Sequence, residues 1–355
     1  MTGAQSEVGR RRRTGKKTLR LLLWLPVPVL LFWALRGVPF RYIGLALGRL
    51  SPGRLATLLI VNLAFIAALA LRWVWILRCL GEKASSVAML RLAAARLAGF
   101  SVSYLSPGPQ FGGEPLQLFL AHRWTGLSYA RGSASLLIDR SFDLAGNFAF
   151  IGFGLSTLGS LRIPGIPAGG APLLGPALLS AGLLLALVPL AYITAVFAGF
   201  RPLSRLADRL PERMRGTGRL SGVAALIHEA EGEVAAYGRR PGSAFVLLVV
   251  FFIAVQGLAV LELWLTLGYL DFAPPLGRTA LILAGGKLAL YLPVPGGLGA
   301  LEATQRALLS LLGYGPGTAL ALSAYIRLRD LFFASAGLLA AAIGLRPLEG
   351  RGQEK

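Results

Sequence analysis

Two triplets of charged side chains stand where charge is expensive: Glu114, Arg140 and Asp143, then Glu302, Arg327 and Asp330. Each Arg–Asp pair sits inside an apolar run long enough to cross a bilayer. An ionisable residue at the centre of such a helix costs about 2.5–3.5 kcal/mol, so six unpaired ones would cost about 15–20 kcal/mol. That exceeds a typical net stability of about 5–15 kcal/mol, so these groups must be paired, hydrated or both. Two chemistries fit. Each R-x-x-D could be a local i,i+3 ion pair that serves packing alone. Alternatively, both triplets line one polar cavity where guanidinium groups grip phosphate oxygens in pairs. The carboxylates would then hold the arginines, bind a cationic group or carry a proton. Gln110, Gln117, Asp139, Lys287 and Gln305 are further candidates, and Lys287 also has the ordinary reading of a snorkelling residue.

The triplets belong to a longer internal match. Pro107 and Gly108 lead Glu114 as Pro295 and Gly296 lead Glu302, in the shared form P-G-x5-E; about 25 residues later comes R-x-x-D. Tyr104 and Tyr291 precede the two breaks at nearly equal distances. The breaks read SPGPQFGGE over 106–114 and PVPGGLGALE over 293–302. Proline removes a backbone donor and glycine holds a helix poorly, so each break stops the helix before it. Gly112, Gly113, Gly297 and Gly299 are candidate hinges alongside those prolines and glycines, with close helix packing as their alternative use. Backbone N–H groups freed at Gly113 and Gly299 would also favour an anion.

The elements that must position these residues are membrane helices. The 355-residue chain is 55% hydrophobic and only 15% charged, against about 25% charged in a soluble domain. Six segments read as full crossings: 19–36, 55–78, 130–159, 174–199, 243–268 and 318–345. Two apolar stretches, 86–106 and 277–292, run into the breaks and on into short helices over 115–124 and 300–312. Non-helical backbone at membrane depth survives only under a cover of protein or water, so these stretches read as re-entrant hairpins. The expected fold is an all-α polytopic membrane protein, with about six spans and two hairpins arranged as inverted repeats.

A net charge of +20 raises the possibility of a nucleic-acid partner, but position argues against it. The basic residues gather before the first span and in 200–242, which holds eight arginines. Cytoplasmic loops look like this under the positive-inside rule. If 86–124 enters and leaves on one side, that loop and both termini are cytoplasmic, and the external loops 160–173 and 269–276 are nearly free of Lys and Arg. Loop 37–54, with Arg41, Arg49 and Arg54, counts against the scheme unless it is an interfacial helix. The expected organisation is a basic tail over 1–18, one membrane region over 19–345 and a tail over 346–355. Within the membrane region lie repeat one (55–159), a connecting span (174–199), the basic loop (200–242) and repeat two (243–345). In that loop, 220–237 reads as an interfacial amphipathic helix with Glu229, Glu231 and Glu233 on a solvated face. Most tryptophans, Trp73 among them, read as interface anchors. Cys79 is the only cysteine and the two histidines lie far apart, so neither a disulfide nor a metal motif is expected, and no cofactor is. The first apolar run lacks a cleavage site and reads as a retained span.

At these residues the chain resembles the membrane region of lysylphosphatidylglycerol synthases and its stand-alone flippase-like relatives. The resemblance covers most of the chain. It is carried by S-P-G-x-x-x-G-G-E at 106–114, D-R-x-x-D at 139–143, L-P-V-P-G-G-L-G-A-L-E-A at 292–303 and Y-I-R at 325–327. It implies movement of lipids between the leaflets of the inner membrane, with Glu114, Arg140, Glu302 and Arg327 as the polar centre. The implied partners are lipids with an anionic phosphate headgroup, modified phospholipids or polyprenyl-phosphate carriers. Asp139 departs from the glutamate that relatives commonly carry there. The full-length synthases add a soluble aminoacyl-transferase domain that this sequence does not show, so lysylation and catalytic residues are not expected. A membrane-embedded lipid-phosphate transferase and a non-transporting partner subunit are the competing readings, and self-association is left open.

Overall fold

The computed structural model describes residues 48, 51–83, 86–106, 112–161, 173–209, 218–239, 242–292 and 294–345. The expected first span at 19–36, both terminal tails, most of loops 37–54 and 160–173, and Pro107, Gly108 and Gln110 lie outside these residues.

The described residues form α-helices and short 3-10 turns, with no strand among them. In chain order the α-helices are α1 (Pro52–Cys79), α2 (Ser86–Leu105), α3 (Glu114–Thr125), α4 (Tyr129–Ser156), α5 (Leu174–Phe197), α6 (Pro202–Asp208), α7 (Gly218–Gly238), α8 (Gly242–Tyr269), α9 (Leu276–Leu290), α10 (Ala300–Leu311) and α11 (Pro316–Gly344). Local signals set the ends. Ser51 Oγ accepts the Arg54 N–H at 3.4 Å with Pro52 in the first turn, and Ser128 Oγ accepts that of Arg131 at 3.3 Å; both are N-caps. Gly126, at φ 74, ends α3.

α1, α5 and most of α8 are long and apolar enough to cross a membrane. α4 and α11 have 28 and 29 residues, about 42 Å at 1.5 Å per residue, but charged side chains interrupt their apolar character. Exposed Leu184, Val188 and Ile253 on α5 and α8 present the kind of surface that acyl chains cover.

The order long, medium, short, long occurs twice. α1 to α4 have 28, 20, 12 and 28 residues; α8 to α11 have 28, 15, 12 and 29. In each set the middle helices form an antiparallel hairpin. Arg91 near the start of α2 donates to the Trp124 carbonyl at the end of α3 (2.7 Å), while Gly99 lies against Gly113 and Gln117. Across the second hairpin, Gly286 faces Leu301, Gly285 faces Thr304 and Leu308, and Ile282 packs with Leu309.

The long helices pack crosswise between the sets: α11 lies on α2, α4 on α9, and α1 on α8. Small residues permit this. A Cβ on Gly337 would sit 2.2 Å from the Leu97 carbonyl, and one on Gly154 would sit 2.6 Å from that of Ala280.

The 200–242 region departs from expectation. α7 packs against α4 and α5, and Glu231 is fully buried rather than solvated. Its carboxylate accepts the backbone N–H groups of Leu203 and Ser204 (3.0 Å each), the Ser204 hydroxyl (2.5 Å) and the Tyr192 hydroxyl (3.2 Å). It thereby caps α6, a helix that the sequence reading omits, because open N–H groups at a helix start need acceptors. Trp73 is also fully buried and donates to Ser135 Oγ at 2.8 Å, rather than anchoring at an interface.

Candidate functional site

Each break is closed by the same three-part link. Glu114 opens α3; its Oε2 accepts the Gly112 N–H at 2.8 Å, and its Oε1 meets Arg140 Nη2 at 2.8 Å. Glu302 lies in the first turn of α10; its Oε2 accepts the Gly299 N–H at 2.8 Å, and its Oε1 accepts from Arg327 Nε at 2.8 Å. One carboxylate therefore satisfies a donor at the broken backbone and neutralises an arginine projecting from a long neighbouring helix. A carboxylate at a helix start is also favoured by the backbone dipoles. The N–H groups expected to await an external anion are already used, since buried donors need partners. Gly299 and Gly112 donate to these glutamates, and Gly113 donates to Ser103 Oγ at 3.0 Å.

The breaks converge on α2. Gly113 approaches so closely that a Cβ there would lie 1.8 Å from the Gly99 carbonyl. Three residues beyond the Pro295–Gly297 turn begins the glycine-capped helix α10, and within that turn Gly296 (φ 55) lies 3.0 Å, from its ideal Cβ position, from the Tyr104 ring at the end of α2. No side chain fits at Gly113; at Gly296 one would crowd the Tyr104 ring and would need the left-handed backbone that glycine adopts freely. Tyr104 ties the sets together by accepting from Arg327 Nη1 at 3.1 Å. Arg327 additionally donates to the Gly296 carbonyl and, at 3.2 Å, to that of Gly297. With all its nitrogens engaged, Arg327 is 1% exposed, whereas Arg140 is 31% exposed.

The R-x-x-D motifs do not work as simple local pairs. Arg140 Nη1 stands 3.9 Å from Asp143. Asp143 is held more closely by Arg72 of α1, whose Nη2 lies 2.8 Å from Oδ1. Asp139 is gripped by two helices at once, Arg72 Nε at 2.7 Å and Arg96 Nη2 of α2 at 2.9 Å. Asp330 pairs with its neighbour Arg329 at 2.8 Å, because Arg327 is committed to the break. Arg329 also reaches Glu262 of α8 at 2.7 Å, and Tyr325 donates to Glu262 at 2.8 Å.

Lys287 does not snorkel to a surface. Its Nζ donates to Asn147 Oδ1 of α4 at 2.9 Å, an oxygen that also accepts from Gln256 Nε2 at 2.8 Å. Gln305 is buried and accepts from Ser323 at 2.5 Å, a packing contact beside the second pair. Gln117 is buried against Gly99. The sequence reading missed Arg72, Arg96, Glu262 and Arg329 as members of the polar network. The signal was present, since each is an ionisable residue within an apolar helix.

Helices of membrane length, a polar network folded inward and two broken hairpins define the class: an all-α, multi-pass membrane protein. The chain matches the family model for the lysylphosphatidylglycerol synthase TM region over residues 19–337, and it belongs to that family. That membership ties it to membrane phospholipid. No curated protein and no solved structure matches the chain.

Proposed function

We propose that this protein moves a lipid with an anionic phosphate headgroup between the leaflets of the inner membrane, as a transporter rather than an enzyme. The lipid is an anionic or modified phospholipid, or a polyprenyl-phosphate-linked carrier. In this reading α1–α4 and α8–α11 are inverted repeats joined by α5, the hairpins are re-entrant and both termini are cytoplasmic. Exchanging the conformations of two inverted halves exchanges access from one side of the membrane for access from the other.

The observation that carries the reading is the duplicated link of broken backbone, glutamate and arginine, with the two arginine-bearing helices α4 and α11 each packed on the other set's hairpin. The links also differ in the way alternating access calls for: Arg327 is sealed by Tyr104 while Arg140 stays partly open. The transferase reading calls for a carboxylate pair such as Asp139 and Asp143 to hold a metal. It receives no such support, because Asp139 is buried between Arg72 and Arg96 and Asp143 pairs with Arg72.

The test is exchange of a fluorescent phosphatidylglycerol in proteoliposomes, read by a reductant that quenches only outer-leaflet label. Wild type is expected to expose inner-leaflet label well above the protein-free rate, and Arg327→Ala to fall to that rate. Equal rates for wild-type and protein-free vesicles would remove the proposal.

A further inference from the structure

We infer that the first hairpin holds a phosphate-binding site formed by Arg72, Arg96 and Gln117. The inference deepens the lipid-moving reading and rests on it for the source of the ligand. Arg72 and Arg96 grip opposite oxygens of one carboxylate, that of Asp139, at 2.7 and 2.9 Å. Each guanidinium is left with a buried Nη1 that has no acceptor among the described residues. Gln117, 3% exposed, has a buried Nε2 in the same condition.

The three residues are linked through α2 and through Asp139. Gln117 Oε1 is 3.1 Å from the position a Gly99 Cβ would take. Gly99 follows Arg96 by three residues on α2, so the amide and the guanidinium share a helix face. Arg72 joins them through Asp139.

All three unsatisfied groups are donors, and burying donors without partners is costly. A ligand bound there would have to offer several acceptor oxygens. Charge narrows the choice. Among the described residues, the connected cluster along the middle of α4 has the cations Arg72, Arg96, Arg140 and Lys287 and the carboxylates Glu114, Asp139 and Asp143; Arg131, at the start of α4, pairs separately with Glu82 and Glu233. One positive charge is in surplus. Water would satisfy the donors without balancing that charge. A phosphodiester or phosphate oxyanion does both, and guanidinium geometry suits it. The site uses donors that the glutamate–arginine links leave alone, so a headgroup could bind without breaking either link.

The test uses the full chain in detergent micelles containing phosphatidylglycerol, with retained lipid measured by native mass spectrometry. A parallel arm measures thermal stabilisation of lipid-free protein by inorganic phosphate. Arg96→Lys keeps the charge but loses Nη1, and Gln117→Met removes the amide at similar length and leaves every ion pair intact. Each is expected to weaken retention about tenfold, the effect of losing one hydrogen bond to a charged group. Lipid retained by wild type without stabilisation by inorganic phosphate assigns the ligand to a headgroup. Stabilisation by phosphate without retained lipid assigns it to free phosphate. Neither response in wild type, or wild-type retention in both variants, overturns the site. The exchange assay on the same proteins separates the two ideas. Exchange by wild type with unaltered retention in both variants removes the site alone, whereas variant-sensitive retention without wild-type exchange removes the transport reading alone.

Discussion

Arg72→Ala is expected to destabilise the protein by about 3–5 kcal/mol, the range for removing one partner from a buried ion pair. Arg72 is 1% exposed and is the closest cation to both Asp139 and Asp143, at 2.7 and 2.8 Å. Without it, Arg96 is the remaining close partner of Asp139, at 2.9 Å, and Asp143 is left with Arg140 at 3.9 Å. Two carboxylates in a medium that solvates them poorly would lose most of their compensation. A melting experiment in detergent checks this, with a large drop in midpoint and in folded yield expected. Adding Asp139→Asn to Arg72→Ala should recover part of the loss, because the stranded charge is then gone. An Arg72→Ala protein that melts like wild type would mean that the ion network does not hold α1 to α4.

Gly113→Ala should cost about 3 kcal/mol, the upper end for overpacking. The new Cβ would lie 1.8 Å from the Gly99 carbonyl oxygen and 2.7 Å from Ser103 Oγ. The first contact is with backbone, so no rotamer change relieves it; the hairpin itself must open. Opening it would also disturb the bond from the Gly113 N–H to Ser103 and the neighbouring Gly112–Glu114 contact. Gly299→Ala provides the comparison. Nothing lies within 4 Å of its Cβ position, so only the left-handed backbone at φ 79 opposes it, about 1–2 kcal/mol. Thermal melts of the two variants should therefore rank Gly113→Ala as the more damaging.

Much of this architecture can be read from residue order, for identifiable reasons. Proline and glycine at the breaks cannot continue a helix, so the ends of α2, α3, α9 and α10 fall within a few residues of expectation. The glutamates and arginines stand out because charge is rare in apolar runs and because their spacing repeats. That a glutamate holds each arginine is one of three roles that residue order leaves open for the carboxylates, and the structure shows the pairs Glu114–Arg140 and Glu302–Arg327. Pairing across the fold is another matter. Arg72 reaches Asp139 over 67 residues of sequence, and its place inside an apolar helix shows that it needs a partner without showing which one. Asp330 looks committed to Arg327 by helical spacing, yet Arg327 is consumed by backbone carbonyls at Gly296 and Gly297. Those acceptors exist only once the break has folded. Glu231 misleads for a related reason. A glutamate on an amphipathic helix reads as solvated until the free N–H groups of α6 come to rest on it.

The cross-set contacts give the tyrosines a meaning that their spacing alone does not. Tyr104 of the first set hydrogen-bonds Arg327 of the second. Its counterpart, Tyr291, stacks on Phe148 of α4 with ring centroids 5.5 Å apart, two turns beyond Arg140. In an alternating mechanism these contacts would trade places, with Tyr291 engaging Arg140 as Tyr104 releases Arg327.

The most direct test of the two links as the two sides of one pathway is leaflet exchange of fluorescent phosphatidylglycerol by Glu114→Gln and Glu302→Gln, each made singly. Glutamine can still accept the backbone N–H of its break but cannot neutralise its arginine. Each substitution alone is predicted to bring exchange to the protein-free rate while the purified protein stays folded. Wild-type exchange by either variant would contradict the account.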